Sequence, residues 1–186
     1  AGLNGVVAAD TAIGAVDGDR GFFHYGPHDA TVLARSRSFE DVWFLVRNGR
    51  LPDADEAAAF RGQVAALREI PAALQPVLDT IARTEASMLS KLRAVLSVAA
   101  APLGLRPVID VADAGRRQQT LRLTAVVPSL LAALHRIGAG LDVVEPDRTL
   151  GHAAAYLHQT TGVVPTPVAA RAVEQYMILT IDHGFN

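Results

Sequence analysis

Residues 173–186 read Val-Glu-Gln-Tyr-Met-Ile-Leu-Thr-Ile-Asp-His-Gly-Phe-Asn. Apolar side chains would occupy nearly every side of a helix built from residues 173–181, which predicts a helix covered by other parts of the protein rather than by water. Gly184 stands where a left-handed helix cap is expected, so Asp182 and His183 fall on the predicted final turn. A cationic imidazolium is favoured by up to ~2 kcal/mol at this negative end of the helix dipole. Such an imidazolium can bind a carboxylate through a charge-assisted hydrogen bond. The same pattern also fits an ordinary solvated helix cap, and the residues alone favour that simpler interpretation.

The composition predicts one apolar-rich domain that spans residues 1–186. Half of the 186 residues are hydrophobic and 19% are charged, which suggests a face shared with another copy or another protein. The formal net charge of −2 argues against a dedicated nucleic-acid surface, and the absence of cysteine excludes disulfides and Cys-ligated metals. No uninterrupted apolar run approaches the ~20 residues of a membrane span and no signal peptide opens the sequence, so a cytoplasmic location is expected.

The first 25 residues contain the one convincing β region. Asp17-Gly18 is a strong hairpin-turn signal, with apolar segments before it at 6–9 and 12–16 and the sequence Phe22-Phe23-His24-Tyr25 after it. An isolated hairpin is only marginally stable, so this segment is expected to pack on the helices that follow.

From Ser38 onward the sequence predicts helices. Ser38 and Asp41 have the spacing of a capping box, and Ser87 opens an amphipathic helix whose apolar stripe runs from Met88 to Ala99. The longest helical run begins near residue 111 and contains Pro128, which costs ~3 kcal/mol in a helix interior unless packing compensates. The predicted fold class is therefore mainly α, multi-helical, with a small amino-terminal β-hairpin.

The histidines are the obvious candidates for chemistry, and no pair has the His-Glu-x-x-His spacing of a zinc site. His24 and His28 flank a turn, where a shared metal is a weaker interpretation than an ordinary loop; His152 and His158 should project to different faces of a helix. The sequence also lacks a nucleophile elbow, a P-loop and a dinucleotide-binding fingerprint. Motifs alone therefore predict a helical, self-associating domain and no reaction.

Three stretches resemble the citrate synthase family, and the resemblance runs from Gly2 to Asn186. They are the opening segment from Gly2-Leu3-x-Gly5-Val6 through Asp17-Gly18, the stretch from Ser38 to Pro52, and the closing Asp182-His183-Gly184-x-Asn186. Two departures stand out: Thr180 replaces a histidine that the family often has, and residues 26–28 replace an Arg-Gly-Tyr or Arg-Gly-Ile sequence.

The resemblance implies the amino-terminal part of a citrate synthase-like large helical domain. It implies a transferase of the tricarboxylic acid cycle that condenses acetyl-CoA, its co-substrate, with oxaloacetate to give citrate and CoA, without a further cofactor or a metal. His183 would contact oxaloacetate, with Asn186 nearby as a second substrate-binding residue. The family's catalytic histidines, catalytic aspartate and CoA-binding segment belong further along, so no catalytic residue is expected within this chain, which as given should be inactive.

The resemblance also implies a homodimer, because the family's Met-x-x-Leu-Arg helix, matched around residues 89–98, packs across a dimer interface. An alternative stays open: a non-catalytic helical dimerisation or binding module derived from a citrate synthase. The choice between acetyl-CoA and propionyl-CoA or a longer acyl donor is also open, because the acyl pocket would lie in a part not included here.

Overall fold

The computed structural model describes residues 10–182, so the predicted strand at 6–9 and the predicted substrate residues His183 and Asn186 lie outside it. The described chain divides into two compact units, one formed by residues 10–58 and 172–182 and the other by residues 59–171. The prediction of one domain over residues 1–186 stays a prediction.

The hairpin of the first unit confirms the predicted β region and extends it. Its three antiparallel strands, in the order β1-β2-β3, are β1 (Gly14–Asp17), β2 (Phe22–Tyr25) and β3 (His28–Asp29). Residues 18–21 connect β1 to β2, and Gly21 closes this loop with φ 61°, a conformation that favours glycine. β3 was not predicted; it exists because Gly26, with φ 53°, turns the chain back immediately after β2.

Local capping signals define the helices of the first unit. They are α1 (Ala30–Ser36), α2 (Phe39–Asn48) and the beginning of α3 (Ala54–Ala66). The predicted Ser38–Asp41 capping box is present at the start of α2, and Gly49 ends that helix in the left-handed conformation. The sequence did not predict α1, whose first N–H groups bond to the Asp29 carboxylate.

The second unit is a helical layer around one apolar core. It contains a 3-10 turn (Ala72–Leu74), α4 (Gln75–Ala82), α5 (Met88–Ala99), a second 3-10 turn (Val108–Asp110), α6 (Asp113–Gly138) and α7 (His152–Thr161). The core consists of buried side chains from α4, α5, α6 and the segments beside them: Leu74, Leu78, Ala82, Val95, Ala99, Leu103, Val126, Leu130, Ala133, Leu134 and Ile137. α6 contains Pro128 in its interior and continues as one helix on both sides of it; the kink expected at this proline stays a prediction. Close packing of this kind is what offsets the cost of an interior proline.

Within residues 10–182, α6 is also the one helix long and apolar enough to span a membrane. Half of its most apolar window is buried inside the protein. Because Val126, Leu130 and Leu134 belong to the core of the second unit, α6 has the features of an ordinary core helix.

The last helix, α8 (Pro167–Leu179), differs from its prediction in two ways. It ends at Leu179, so Asp182 lies beyond the helix and its placement on the final turn is wrong. The expected burial on all sides is also wrong, because Ile178 is buried whereas Tyr176 is 69% exposed. Sequence periodicity reports how many sides of a helix are apolar, and it does not report how many sides the chain can cover.

Candidate substrate-contacting segment and its supports

The segment that follows α8 precedes the predicted substrate residues. Thr180, which replaces the histidine common in the resembled family, donates its hydroxyl to the carbonyl of Tyr176 at 2.9 Å. This side chain is therefore engaged with the end of its own helix. His183 and Asn186 lie outside the described residues, and their assigned substrate contacts stay predictions.

A buried tyrosine holds the end of α8 in the first unit. The hydroxyl of Tyr25, in β2, donates to the carbonyl oxygen of Ile178 at 2.8 Å, and both residues are buried. Burial raises the pKa of Tyr25 to about 12, although the backbone N–H of Asp182 acts in the opposite direction. The hydroxyl thus stays protonated at neutral pH and lies beside the turn that leaves the helix.

A second contact holds α8 one turn earlier. The backbone N–H of Phe39, in the first turn of α2, donates to Oε1 of Glu174 at 3.0 Å. Glu174 and Ile178 are four positions apart and so share one face of the helix. Two polar contacts therefore attach this face to the rest of the first unit.

The second unit contains a buried polar cluster that the sequence did not indicate. Arg68 is 1% exposed and donates to the carbonyl oxygen of Leu150 at 2.8 Å, immediately before α7. His152, at the start of α7, is 4% exposed. Burial first, and then the positive charge of Arg68, lower the pKa of His152 to about 3.

The surroundings of His152 determine its charge and therefore which ligands it could bind. With a pKa near 3 the imidazole is neutral at pH 7, so it is unsuited to hold a carboxylate by charge. The arginine instead fixes the backbone that enters α7. Arg68 carried no sequence signal, because burial of an arginine depends on contacts between residues distant in the chain.

Arg136 anchors the other end of the same connection. Near the end of α6, His135 is exposed, whereas Arg136 is half-buried and donates to the carbonyls of Asp142 and Thr160. Residues 139–151, which join α6 to α7, are therefore held by arginines at both ends.

The register of the small sheet separates the two histidines that were considered as metal ligands. His24 pairs with Asp29, and His28 pairs with Tyr25. Directly opposed residues share a face and neighbours along a strand alternate, so His24 and His28 point to opposite faces. Across residues 10–182, no group of three His, Asp or Glu side chains could hold a metal ion.

The apolar residues of α5 differ in burial. Val95 and Ala99, in the predicted stripe, are completely buried in the core, whereas Leu89 and Val98, beside the stripe, are 76% and 50% exposed. Leu89, Leu92, Arg93, Leu96 and Ser97 line a shallow groove of about 530 Å³. We call this groove and the adjoining Met88 the α5 surface; it is an exposed apolar area on the helix for which a dimer contact was predicted.

These features define a class before any comparison: a mainly helical protein with an amino-terminal hairpin that supports the end of its last helix. A family model described as citrate synthase, C-terminal domain, matches residues 2–186. The chain belongs to the citrate synthase family.

Individual relatives agree with the family model. A citrate synthase of Haloferax volcanii is 36% identical over 186 residues, covering 100% of this chain and 49% of the relative. A 2-methylcitrate synthase of Mycobacterium tuberculosis is 34% identical over 191 residues, covering 100% of this chain and 46% of the relative. The chain thus spans about half the length of the curated relatives it matches.

The fold agrees with a solved structure. The ternary complex of carboxymethyl coenzyme A and oxaloacetate with citrate synthase from Thermoplasma acidophilum has a TM-score of 0.87 to this chain at 19% identity. The superposition covers 100% of this chain and 48% of that one. The predicted citrate synthase-like, mainly α fold is therefore confirmed.

Proposed function

We propose that this chain supplies part of the oxaloacetate site of an enzyme that condenses an acyl-CoA with oxaloacetate. The observation that carries the proposal is the family match over residues 2–186, together with 36% identity to a citrate synthase along the whole chain. The reaction forms a carbon–carbon bond between the acyl α-carbon and the oxaloacetate carbonyl, after which water cleaves the thioester. Citrate is the product when the donor is acetyl-CoA.

Residues 1–186 are expected to meet only part of what the reaction requires. The reaction needs a base near the acyl methyl group, an acid for the carbonyl that becomes a hydroxyl, and positive groups for the two carboxylates. His183 would donate one hydrogen bond to oxaloacetate, with Asn186 close to it. The family's Pro-Leu-His-Gly catalytic segment does not occur in residues 1–186, so we infer that this chain does not turn over alone.

The acyl donor is part of the proposal. One relative is a citrate synthase and another is a 2-methylcitrate synthase, and both match along this entire chain. These two activities differ in the acyl group that is transferred. We propose acetyl-CoA as the donor, as the family resemblance implies.

A homodimer through the α5 surface forms part of the same proposal. Leu89 is 76% exposed at a groove that is lined by two further leucines. Exposed apolar grooves of this kind are typical of protein interfaces. A second copy is the occupant that the family resemblance implies.

The alternative function is a non-catalytic dimerisation module derived from a citrate synthase. The same exposed leucines favour it, since they would serve a dimer whether or not catalysis is retained. Sequencing the reading frame beyond Asn186 separates the two functions. A following Pro-Leu-His-Gly segment supports the enzyme, and a stop codon there supports the module.

The kinetic test uses the protein encoded by the uninterrupted reading frame. His183→Ala should raise the KM for oxaloacetate by about tenfold or more while changing the KM for acetyl-CoA far less, because one hydrogen bond to a charged ligand is lost. His135→Ala, at an exposed helix position, is the matched control and should leave both KM values unchanged. Equal effects of His183→Ala on both substrates would reject the assigned role.

The dimer test uses sedimentation velocity at micromolar concentration. Leu89→Asp should convert a dimer to a monomer, because it places a charge in the centre of an apolar contact. Ile109→Asp is the control, since Ile109 is 91% exposed but lies outside the α5 surface. A wild-type monomer under these conditions would contradict the predicted homodimer.

A further inference from the structure

The end of α8 depends on few apolar contacts for its position. Of the residues in this helix, Ile178 alone is buried, and Leu179 and Tyr176 are exposed. The other apolar side chains of this helix, such as Met177, are at most half-buried. Directional hydrogen bonds therefore add to the definition of the point where the chain leaves the helix.

The hydroxyl of Tyr25 provides such a contact at the point where the helix ends. Ile178 is within the last four residues of α8, whose carbonyls lack the full set of intrahelical partners. The other bond to its carbonyl comes from the N–H of Ile181 at a long 3.5 Å, whereas Tyr25 donates at 2.8 Å. The tyrosine is thus the principal partner of this carbonyl.

Tyr25 is itself held in a fixed place. It is 1% exposed, and its ring packs edge-on against Phe23 with centroids 5.9 Å apart. It belongs to β2, the central strand of the three-stranded sheet. The Glu174 contact to α2 fixes the same helix face one turn earlier, so Tyr25 joins the helix end to a rigid support.

We propose that Tyr25 is a positioning residue for substrate binding: its hydroxyl fixes the turn at residues 180–182, which leads along the chain into the predicted substrate residue His183. The inference rests on the proposed function, in which His183 contacts oxaloacetate. In this role Tyr25, which is 1% exposed, acts through the backbone of α8. A displacement of about 1 Å in a substrate-contacting group can reduce turnover by up to about 100-fold, so an anchor of this kind has a kinetic consequence.

The first measurement is amide hydrogen exchange on the 186-residue chain. Tyr25→Phe keeps the ring and removes the donor, and it should raise the exchange rates at residues 180–182 by about fivefold or more. Tyr176→Phe removes a hydroxyl from the same helix at a position that is 69% exposed, and it should leave these rates unchanged. Amides of α2 report whether the first unit remains folded. Unchanged rates at residues 180–182 in Tyr25→Phe, or an equal increase in Tyr176→Phe, would overturn the proposal.

The second measurement is the substrate dependence of the enzyme encoded by the full reading frame. Tyr25→Phe should raise the KM for oxaloacetate by about tenfold and the KM for acetyl-CoA by less than about twofold. A general loss of stability would not affect the two KM values so differently. If His183→Ala raises the oxaloacetate KM and Tyr25→Phe does not, the role of Tyr25 is wrong and the proposed function stands. If His183→Ala has no such effect, the proposed function fails and the positioning role fails with it.

Discussion

Two buried polar anchors, one in each unit, hold the backbone in chemically different ways. In the first unit the neutral hydroxyl of Tyr25 holds the carbonyl of Ile178, and in the second the guanidinium of Arg68 holds the carbonyl of Leu150, each at 2.8 Å. A hydrogen bond from a charged donor contributes about 1.5–3 kcal/mol to stability, whereas one from a neutral hydroxyl contributes about 1 kcal/mol. Arg68 should therefore matter mainly for stability, and Tyr25 mainly for position.

The largest expected effect is at Arg68. Arg68→Met keeps most of the volume but leaves the carbonyl of Leu150 without its charged donor, and the free energy of unfolding should fall by about 2–3 kcal/mol. The matched control is Arg148→Met, because Arg148 pairs with Glu69 at the surface and is 59% exposed. The control should lose less than about 1 kcal/mol. Urea unfolding measures both, and equal losses would show that burial does not distinguish the two arginines.

The next effect is the pH dependence contributed by His152. Its pKa is lowered from 6.5 to about 3 by burial and by Arg68, so folding favours the neutral imidazole. This contribution is fully present above pH 6.5 and is lost as the pH falls towards 3, by about 1.4 kcal/mol for each pH unit. Between pH 6.5 and 5 the group should thus account for about 2 kcal/mol.

His152→Gln tests this contribution because glutamine does not titrate. The free energy of unfolding of this variant should change by about 2 kcal/mol less than that of the wild type between pH 6.5 and 5. His135→Gln, at an exposed position, should keep the wild-type dependence. Unfolding by urea at the two pH values gives the comparison, and an unaltered dependence in His152→Gln would assign the acid sensitivity to other groups.

The smallest expected effect is on stability at Tyr25. Tyr25→Phe removes one buried hydrogen bond and should lower the free energy of unfolding by about 1 kcal/mol, less than the change at Arg68. Tyr176→Phe should change it by less than about 0.5 kcal/mol, because that side chain is exposed. A loss at Tyr25 as large as that at Arg68 would contradict the distinction between a positional and a stabilising anchor.

Local signals in the sequence predicted much of the secondary structure. Ser38 with Asp41, Gly49 and Ser87 start or end helices where expected, because a cap acts through bonds to backbone groups within a few residues. The hairpin was also predicted from a local signal, Asp17-Gly18, although Asp17 lies in β1 and the loop is formed by residues 18–21. The family was also recognised from short motifs, and the match over residues 2–186 confirmed it.

The candidate site was less accessible to prediction. His183 and Asn186 could be named from the family motif, but Tyr25, Glu174 and Arg68 could not be found as supports. Tyr25 and Ile178 are separated by 153 positions, and Arg68 and Leu150 by 82, so no sequence window contains both partners. Such contacts exist only after the chain has folded.

The helical class, the capping residues and the family follow from residue type and short spacings alone. Which apolar sides are covered depends on packing in the folded chain, as the buried Ile178 and the exposed Tyr176 of one helix show. It also decided which polar groups become anchors. Burial and long-range hydrogen bonds are properties of the packed chain, and the same arginine or tyrosine would be an ordinary surface residue if its neighbours in space were different.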